Sequence, residues 1–422
     1  MNKYQQIISD IEKQIKIGKL QRGEKLPSIR TLSAQYSCNK DTVQRALLEL
    51  KFQHIIYAKP KSGYYVLGDE NEYQDLEVLI TDGHEQAYED FRLCVNETLI
   101  GRENYLFNYY HRQEGLEELQ QSVQKLLTDS AVYTQLNNIV ITSGTQQALS
   151  ILSQIDFPNG REKILVEQPT YSRMNELVQS QHLPYASIER TPEGIHLAAL
   201  EEIFQTEEIK FFYMIPRLHN PLGQSLSRKE KEDILNLANR YNVYIVEDDY
   251  LADFDRQKKL PLHYLDTQNR VIYIKSFSSI LFPALRVAAC VLPSSIKEPF
   301  IRYKNAMDYD NNLIMQKALS LYIDNLMFAK NRQLLLSMEE KQELSIKNAL
   351  KQSPLPLPYH LSSRGILLDL RGQTKIPQLK HSYLPLNFFE SSYLNPCPYD
   401  YAYLPYSTNF ADHLKKVRQL LI

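Results

Sequence analysis

SFSSILFPALR, residues 276–286, is the stretch on which the fold turns. VIYIK precedes it, a short apolar run with the composition of a buried strand, and VAACVLP follows. Between them a strand gives way to serines, a proline and an arginine, which is how a strand ends in a polar loop. The same transition recurs upstream. NNIVIT (137–142) runs into SGTQQAL (143–149), KILVEQ (163–168) into PTYSR, IKFFYMI (209–215) into PRLHNPLG, and VYIVED (243–248) into DYLADF. Helix-patterned stretches, QQALSILSQI and SRKEKEDILNLANRY among them, separate these strands. Such alternation predicts an α/β fold on a largely parallel sheet. Sheets of that kind bind ligands in the loops beyond the carboxyl ends of their strands, and the polar residues stand in those loops. From about residue 300 the pattern is mixed and rich in tyrosine, which predicts a smaller C-terminal α/β subdomain.

Each loop also has an ordinary reading. SGTQQAL leads from a strand into a helix, so its N–H groups suit a phosphate, or merely start a helix. Tyr171 also reads as a packed aromatic and Asn220 as a turn residue before Pro221. Asp248, Asp249 and Tyr250 also read as an acidic strand end. Their order and spacing along one chain are what is specific.

Residues 1–67 differ from the rest. They carry 12 Lys/Arg against 5 Asp/Glu, whereas the remainder carries 36 against 45. A basic head on an acidic body suits a nucleic-acid binder with a separate second function; charge alone fits chance clustering on a solvated surface equally well. Tyr4, Ile7, Ile8, Ile11 and Ile15 recur at helical spacing as far as Gly18. Ser28 is placed to cap a second helix bearing Ile29, Leu32 and Ala34. Asn39 is placed to cap a third, with Val43, Ala46, Leu47 and Leu50 as its stripe. IIYA (55–58) and YYV (64–66), joined by KPKSG, read as a hairpin. The prediction is a winged helix-turn-helix over residues 1–67, a polar linker at 68–78 and the α/β body at 79–422.

GKLQRGEKLPSIRTLSAQYSCNKDTVQRALLEL, followed by KPKSGYYV, closely resembles the DNA-binding domain of the GntR family over the whole head. The resemblance implies double-stranded DNA as a partner, with the third helix entering the major groove by its N-terminal end. It implies contacts from Arg30, Asn39, Lys40, Thr42 and Gln44, and from Lys59 and Lys61 on the wing. Lys40 stands where the family often has arginine, which weakens bidentate reading of guanine. For Asp41 a capping role and a cytosine contact both stay open.

Residues 105–422 resemble the fold-type I aminotransferases that bind pyridoxal 5'-phosphate. A GntR head on such a body resembles the MocR subfamily of transcriptional regulators. The resemblance assigns the cofactor phosphate to Ser143, Gly144, Thr145 and Gln146, with Ser276, Ser278 and Arg286 around the loop quoted first. Tyr110, in YYHRQEG, would reach the phosphate of the neighbouring protomer in a homodimer. Tyr171 would stack on the ring, Asn220 and Tyr250 would bond the ring hydroxyl, and Asp248 would keep the ring nitrogen protonated.

Two departures follow. The family's loop holds a Schiff-base lysine seven residues before the arginine; Phe277, Ser278, Pro283, Leu285 and Arg286 align without a gap, and the lysine position is Ser279. A hydroxyl can neither form that link nor serve as the base. Lys275 is held in the preceding strand and is expected at the cleft mouth, adding positive charge. A looser alignment puts Tyr403, in YAYLPYS, where an arginine usually grips the substrate carboxylate. The expected protein is a DNA-binding transcriptional regulator whose body senses a small-molecule effector without catalysing transamination. What it senses would be pyridoxal 5'-phosphate held non-covalently, an external aldimine formed in solution, or a different small molecule in the same cleft, with the cofactor absent. The alternative is a working transaminase with an accessory DNA-binding head, against which Ser279 argues.

The chain contains no apolar run long enough to span a membrane. MNKYQQIISDIEKQIKIGKL lacks the pattern of a signal peptide. Cys38, Cys94, Cys290 and Cys397 are too scattered for a zinc site or a disulfide framework. No metal and a cytoplasmic location are the expectations.

Overall fold

The computed structural model describes residues 3–16, 19–20, 24–52, 55–59, 63–66, 82–100, 113–308 and 311–422. Contacts divide the chain into two units, Met1–Leu79 and Ile80–Ile422. Gly18 and the segment 68–78 read as a linker lie outside the described residues.

In the first unit α1 (Lys3–Lys16), α2 (Ile29–Gln35) and α3 (Lys40–Phe52) enclose Ile7, Ile11, Leu32, Val43, Leu47 and Leu50. The stripe read on α3 is buried throughout, while Ala34 of α2 faces solvent. Both caps form. The Ser28 hydroxyl accepts the Thr31 N–H at 3.1 Å, and Asn39 Oδ1 accepts the Thr42 N–H at 2.8 Å. Strands β1 (Ile56–Lys59) and β2 (Gly63–Val66) pair antiparallel, Ile56 opposite Val66. Residues 24–26 extend this wing: the Leu26 N–H donates to the Tyr64 carbonyl at 2.8 Å, and the Val66 N–H to the Glu24 carbonyl at 3.0 Å.

The second unit opens with α4 (Asp82–Leu99) and α5 (Glu117–Asp129). Its sheet holds β3 (Ile139–Thr142), β4 (Lys163–Gln168), β5 (Tyr185–Thr191), β6 (Gly194–Ile195), β7 (Ile209–Met214), β8 (Tyr244–Asp248), β9 (Val271–Ser276) and β10 (Ala288–Val291). The spatial order is β3-β10-β9-β8-β7-β4-β5-β6. From β9 through β8, β7 and β4 to β5 every pairing is parallel. Parallel neighbours need crossovers, and α6 (Thr145–Gln154), α7 (Ser172–Ser180), α8 (Leu197–Thr206) and α9 (Arg228–Arg240) lie between the strands in sequence. Strand β10 runs antiparallel to both neighbours, so β3 points the same way as β9. The carboxyl ends of β3, β4, β7, β8 and β9 therefore share one edge of the sheet. Side chains alternate between faces. Val166, Tyr213, Val246 and Ile274 pack on one, whereas Leu165, Phe212 and Ile245 pack on the other.

Helices α10 (Ser294–Met307) and α11 (Leu313–Asp324) belong to the cores of this sheet through Ile296, Phe300, Ala318 and Tyr322. The smaller subdomain, expected from about residue 300, therefore begins later. The long α12 (Met327–Gln352) carries the chain into it. There Ile346, Leu350, Ile366, Leu368, Leu404 and Leu414 form a separate core. Its antiparallel sheet is β11 (Tyr359–Ser362), β12 (Gly365–Asp369) and β13 (Tyr401–Pro405), covered by α13 (Phe410–Leu421).

Candidate functional site

Asp248 is the last residue of β8 and is buried. The Tyr213 hydroxyl donates to its Oδ2 at 2.8 Å, while its Oδ1 is buried without a hydrogen-bond partner. Burial pushes this carboxyl up to about 7, with Asp249 adding to the rise; the Tyr213 hydrogen bond and the Lys275 charge oppose it. Asp249 points to the other face, where it pairs with Arg217 (Nε at 3.0 Å) and accepts the Tyr273 hydroxyl at 2.6 Å. Of the two acids, Asp248 alone keeps a buried acceptor unused.

Tyr171 lies just past β4, at the start of α7. Burial pushes its hydroxyl up to about 12, Asp248 adding, Arg173 and Arg286 opposing. Tyr250 is likewise raised by burial, with Asp248 and Tyr171 adding and Arg364 opposing. These side chains therefore feel one another at one sheet edge. Asn220 follows β7 in a loop held by Glu167 of β4. That carboxylate accepts the Ile215 N–H at 2.9 Å and lies 3.3 Å from the buried His219 ring.

The turn from β3 to α6 is built around Gly144. Its φ is +81°, and a Cβ there would meet Arg286 Nη2 at 2.8 Å, so only glycine admits the guanidinium this close. Arg286 Nη2 donates to the Ser143 carbonyl at 3.1 Å. The Ser143 N–H is taken by Gln147 Oε1 at 2.7 Å, and the Gly144 N–H by the Thr142 carbonyl at 2.8 Å. Gly144 supplies no capping side chain, so the N–H groups of Thr145 and Gln146 open the helix uncapped. A helix N-terminus facing a guanidinium offers N–H donors and positive charge of the kind that suits an anion. The Ser143 hydroxyl is engaged by the buried Asn311 at 2.9 Å, a partner that no sequence motif marks. Ser276 Oγ accepts the Ser278 N–H at 3.3 Å. Tyr110 lies outside the described residues.

The Ser279 hydroxyl donates to the Tyr250 carbonyl at 2.9 Å, which joins the loops after β8 and β9. Lys275 departs from its expected place at the cleft mouth. It is 1% exposed, forms a salt bridge with Asp253 and donates to the Ser276 carbonyl at 3.2 Å. The alternation of β9 dictates this, because Lys275 shares the face of Tyr273 while Ile274 points with Asp248's neighbours Tyr213 and Val246. Tyr403 stands opposite Leu367 in the β12–β13 pair, its hydroxyl 3.2 Å from Ser362 Oγ. Arg364, which sequence reasoning missed, occupies the β11–β12 turn. Its Nε donates to Glu339 at 2.6 Å, and its guanidinium lies 4.2 Å from the centre of the Phe254 ring.

On the head, Arg30, Asn39, Lys40 and Gln44 are exposed and Thr42 is half-buried. The Thr42 hydroxyl also donates to Asn39 Oδ1, so two of the residues expected at DNA are tied together in the α3 cap. Arg45 stacks over Tyr4 at 5.2 Å and joins α3 to α1. Lys59 ends β1 opposite Gly63; its side chain, like all of Lys61, lies outside the described residues.

Residues 3–66 match the gntR family of bacterial regulatory proteins, and residues 54–342 match the aminotransferase class I and II family. YcxD of Bacillus subtilis strain 168, an uncharacterized HTH-type transcriptional regulator, is 41% identical over 359 residues, 83% of this chain and 81% of its own length. The HTH-type transcriptional regulator NorG of Staphylococcus aureus strain USA300 is 24% identical over 347 residues, 73% of this chain and 77% of its own. Among solved structures, kynurenine aminotransferase of Pyrococcus horikoshii superposes with a TM-score of 0.69 at 22% identity, over 79% of this chain and 87% of its own. LysN of Thermus thermophilus, an α-aminoadipate aminotransferase, gives 0.66 at 20%, over 80% and 88%. These last two likenesses are of fold. Among the described residues no helix is long and apolar enough to cross a membrane, and no cluster of His, Cys, Asp and Glu could hold a metal ion.

Proposed function

Because the chain belongs to the HTH-type transcriptional regulators that join a GntR head to an aminotransferase class I and II body, we propose that its body is an effector sensor built on a pyridoxal 5'-phosphate cradle that no longer catalyses transamination. One observation carries this. Ser279, where the resemblance puts the lysine, spends its hydroxyl on the Tyr250 carbonyl, while Asp248 keeps a buried, unpartnered Oδ1.

The residues present fit the cofactor. Asp248 Oδ1 is an acceptor awaiting an N–H, and the Gly144–Arg286 approach, which a Cβ would block, sets the guanidinium beside the start of α6. The N–H groups of Thr145 and Gln146 together with Arg286 would hold the phosphate. Asn220 and Tyr250 would hold the ring hydroxyl, and Tyr171 would cover the ring. When bound, the cofactor supplies an electron-withdrawing pyridine. This chain's side chains bind and orient it, and Asp248 fixes the proton on the ring nitrogen. Charge-assisted hydrogen bonds contribute about 1.5–3 kcal/mol each, so several converging on one phosphate give affinity without a covalent link. The head would place the third helix in the major groove, and a homodimer would present two heads to paired half-sites. The setting is the cytoplasm.

The test is spectroscopic. Full-length protein mixed with pyridoxal 5'-phosphate should show no new protein-bound visible band and no borohydride-trapped adduct in residues 276–286. Ser279→Lys should gain both. A wild type already trapped by borohydride at a site lysine would overturn the non-catalytic reading.

A further inference from the structure

The carboxylate of an amino-acid-like ligand has no arginine at Tyr403, yet an arginine from a different element stands beside that tyrosine. We propose that Arg364, in the β11–β12 turn, recognises a carboxylate on the effector. This rests on the cradle reading above and adds the ligand's chemical class.

Four observations converge on it. First, the position is right. Arg364 packs on Phe254, four residues beyond Tyr250 in the loop after β8. Its positive charge acts on the hydroxyls of both Tyr250 and Tyr403. Gly365, next in the turn, lies so close to Tyr403 that a Cβ would meet its hydroxyl at 2.8 Å. Second, the guanidinium is only partly used. Glu339 accepts Nε through one oxygen and the Ser363 hydroxyl, at 2.8 Å, through the other. Among the described residues Nη1 and Nη2 have no hydrogen-bond partner, and the side chain is 32% exposed. That leaves the Nη1–Nη2 edge, two parallel donors matched to a carboxylate. Third, the grip is preorganised. The buried Glu339 and the Phe254 ring hold the guanidinium plane before any ligand arrives. Fourth, four other arginines of the body are already engaged, while Arg332 of α12 gives its Nε to the Asp253 carbonyl at 2.9 Å. Arg217 is buried against Asp249, Arg371 pairs with Asp369 and Glu193, Arg173 pairs with Glu176, and Arg286 lies against the Gly144 turn.

The carboxylate has two sources, a free amino acid or its adduct with the pyridine cofactor. Two stable probes and a competitor separate them. Pyridoxamine 5'-phosphate lacks the carboxylate; N-(5'-phosphopyridoxyl)-L-alanine carries it. Calorimetric titration of full-length wild type should give a dissociation constant at least about tenfold tighter for the second probe. Arg364→Gln should erase that advantage and leave pyridoxamine 5'-phosphate affinity unchanged, and Arg364→Lys should keep part of it. L-Alanine alone competes if the source is the free amino acid and does not if it is the adduct; with loss in Arg364→Gln, either supports the shared chemistry. Equal wild-type affinity for the two probes overturns the inference without any variant, and leaves the cradle standing. Arg364→Gln weakening both probes alike also overturns it, making the residue a pin between hairpin and loop. Failure of wild type to bind either probe sinks the cradle reading, and the inference with it.

Discussion

At the scale of single residues, Asp248 makes the firmest statement about pH. Its carboxyl is raised from 3.8 to about 7 by burial. A group raised in the folded state makes the fold most stable below its unfolded value and costs stability as pH climbs toward its folded one. The cost, spread over the window from about 4 to 7, reaches on the order of 4 kcal/mol. Asp248→Asn cannot ionise and retains an acceptor for Tyr213. Its stability relative to wild type should therefore grow between pH 5 and pH 7.5 in urea melts of ligand-free protein, and parallel profiles would contradict the assignment. Gly144 offers a second test with its own control. Gly144→Ala and Gly160→Ala both place an alanine at positive φ, +81° and +66°, so each should lose stability, by about 1 kcal/mol at Gly160 and by more at Gly144, whose backbone lies where glycine alone is at ease. Only at Gly144 does the new methyl group meet Arg286; nothing stands within 4 Å of Gly160. Only Gly144→Ala should also weaken pyridoxamine 5'-phosphate binding in titration. These two residues stand at a strand end and in a turn that the sequence already singled out. Their partners did not show there. Tyr213 reads as one more apolar strand residue, and the union of Lys275 with Asp253 exists only once a strand and a distant loop are folded together.

At the scale of elements, α3 concentrates the head's chemistry into its first turn. Asn39 caps it through both the N–H and the hydroxyl of Thr42. Asn39→Ala should destabilise the head by about 1 kcal/mol and weaken operator binding, read by thermal melting and electrophoretic shift on the full chain. Lys40, exposed one residue on, is the better candidate for sequence reading. Lys40→Ala should weaken operator binding more than binding to unrelated DNA, and both should fall steeply with salt. Equal losses on the two DNAs would reduce Lys40 to a phosphate contact. The three helices and hairpin of the head and five of the body's strands were legible because each carries its own periodicity, turn residues or cap. The edge at residues 24–26 was not, because EKL has no strand signal apart from its partner β2. Nor was the allegiance of α10 and α11, whose apolar faces fit either subdomain until the cores are seen.

For the whole molecule, the alternation of strand and helix sufficed to bring the candidate residues to one edge, because a parallel sheet gathers its strand ends there whatever the details. Removing residues 1–79 should abolish operator binding and leave pyridoxamine 5'-phosphate binding intact, with the body sedimenting as a dimer at micromolar concentration. Retained operator binding would put the DNA contacts in the body. On the reading proposed above, the bond from Ser279 to the Tyr250 carbonyl would set the tempo of the sensor. It ties two site loops together within the chain, so the cradle is shaped without a tether to its occupant. A ligand held at micromolar Kd and arriving at about 10⁶ M⁻¹ s⁻¹ stays on the order of one second. Occupancy of such a sensor would then follow the cell's free supply almost at once and reset by dilution, with no chemical turnover needed to clear the signal.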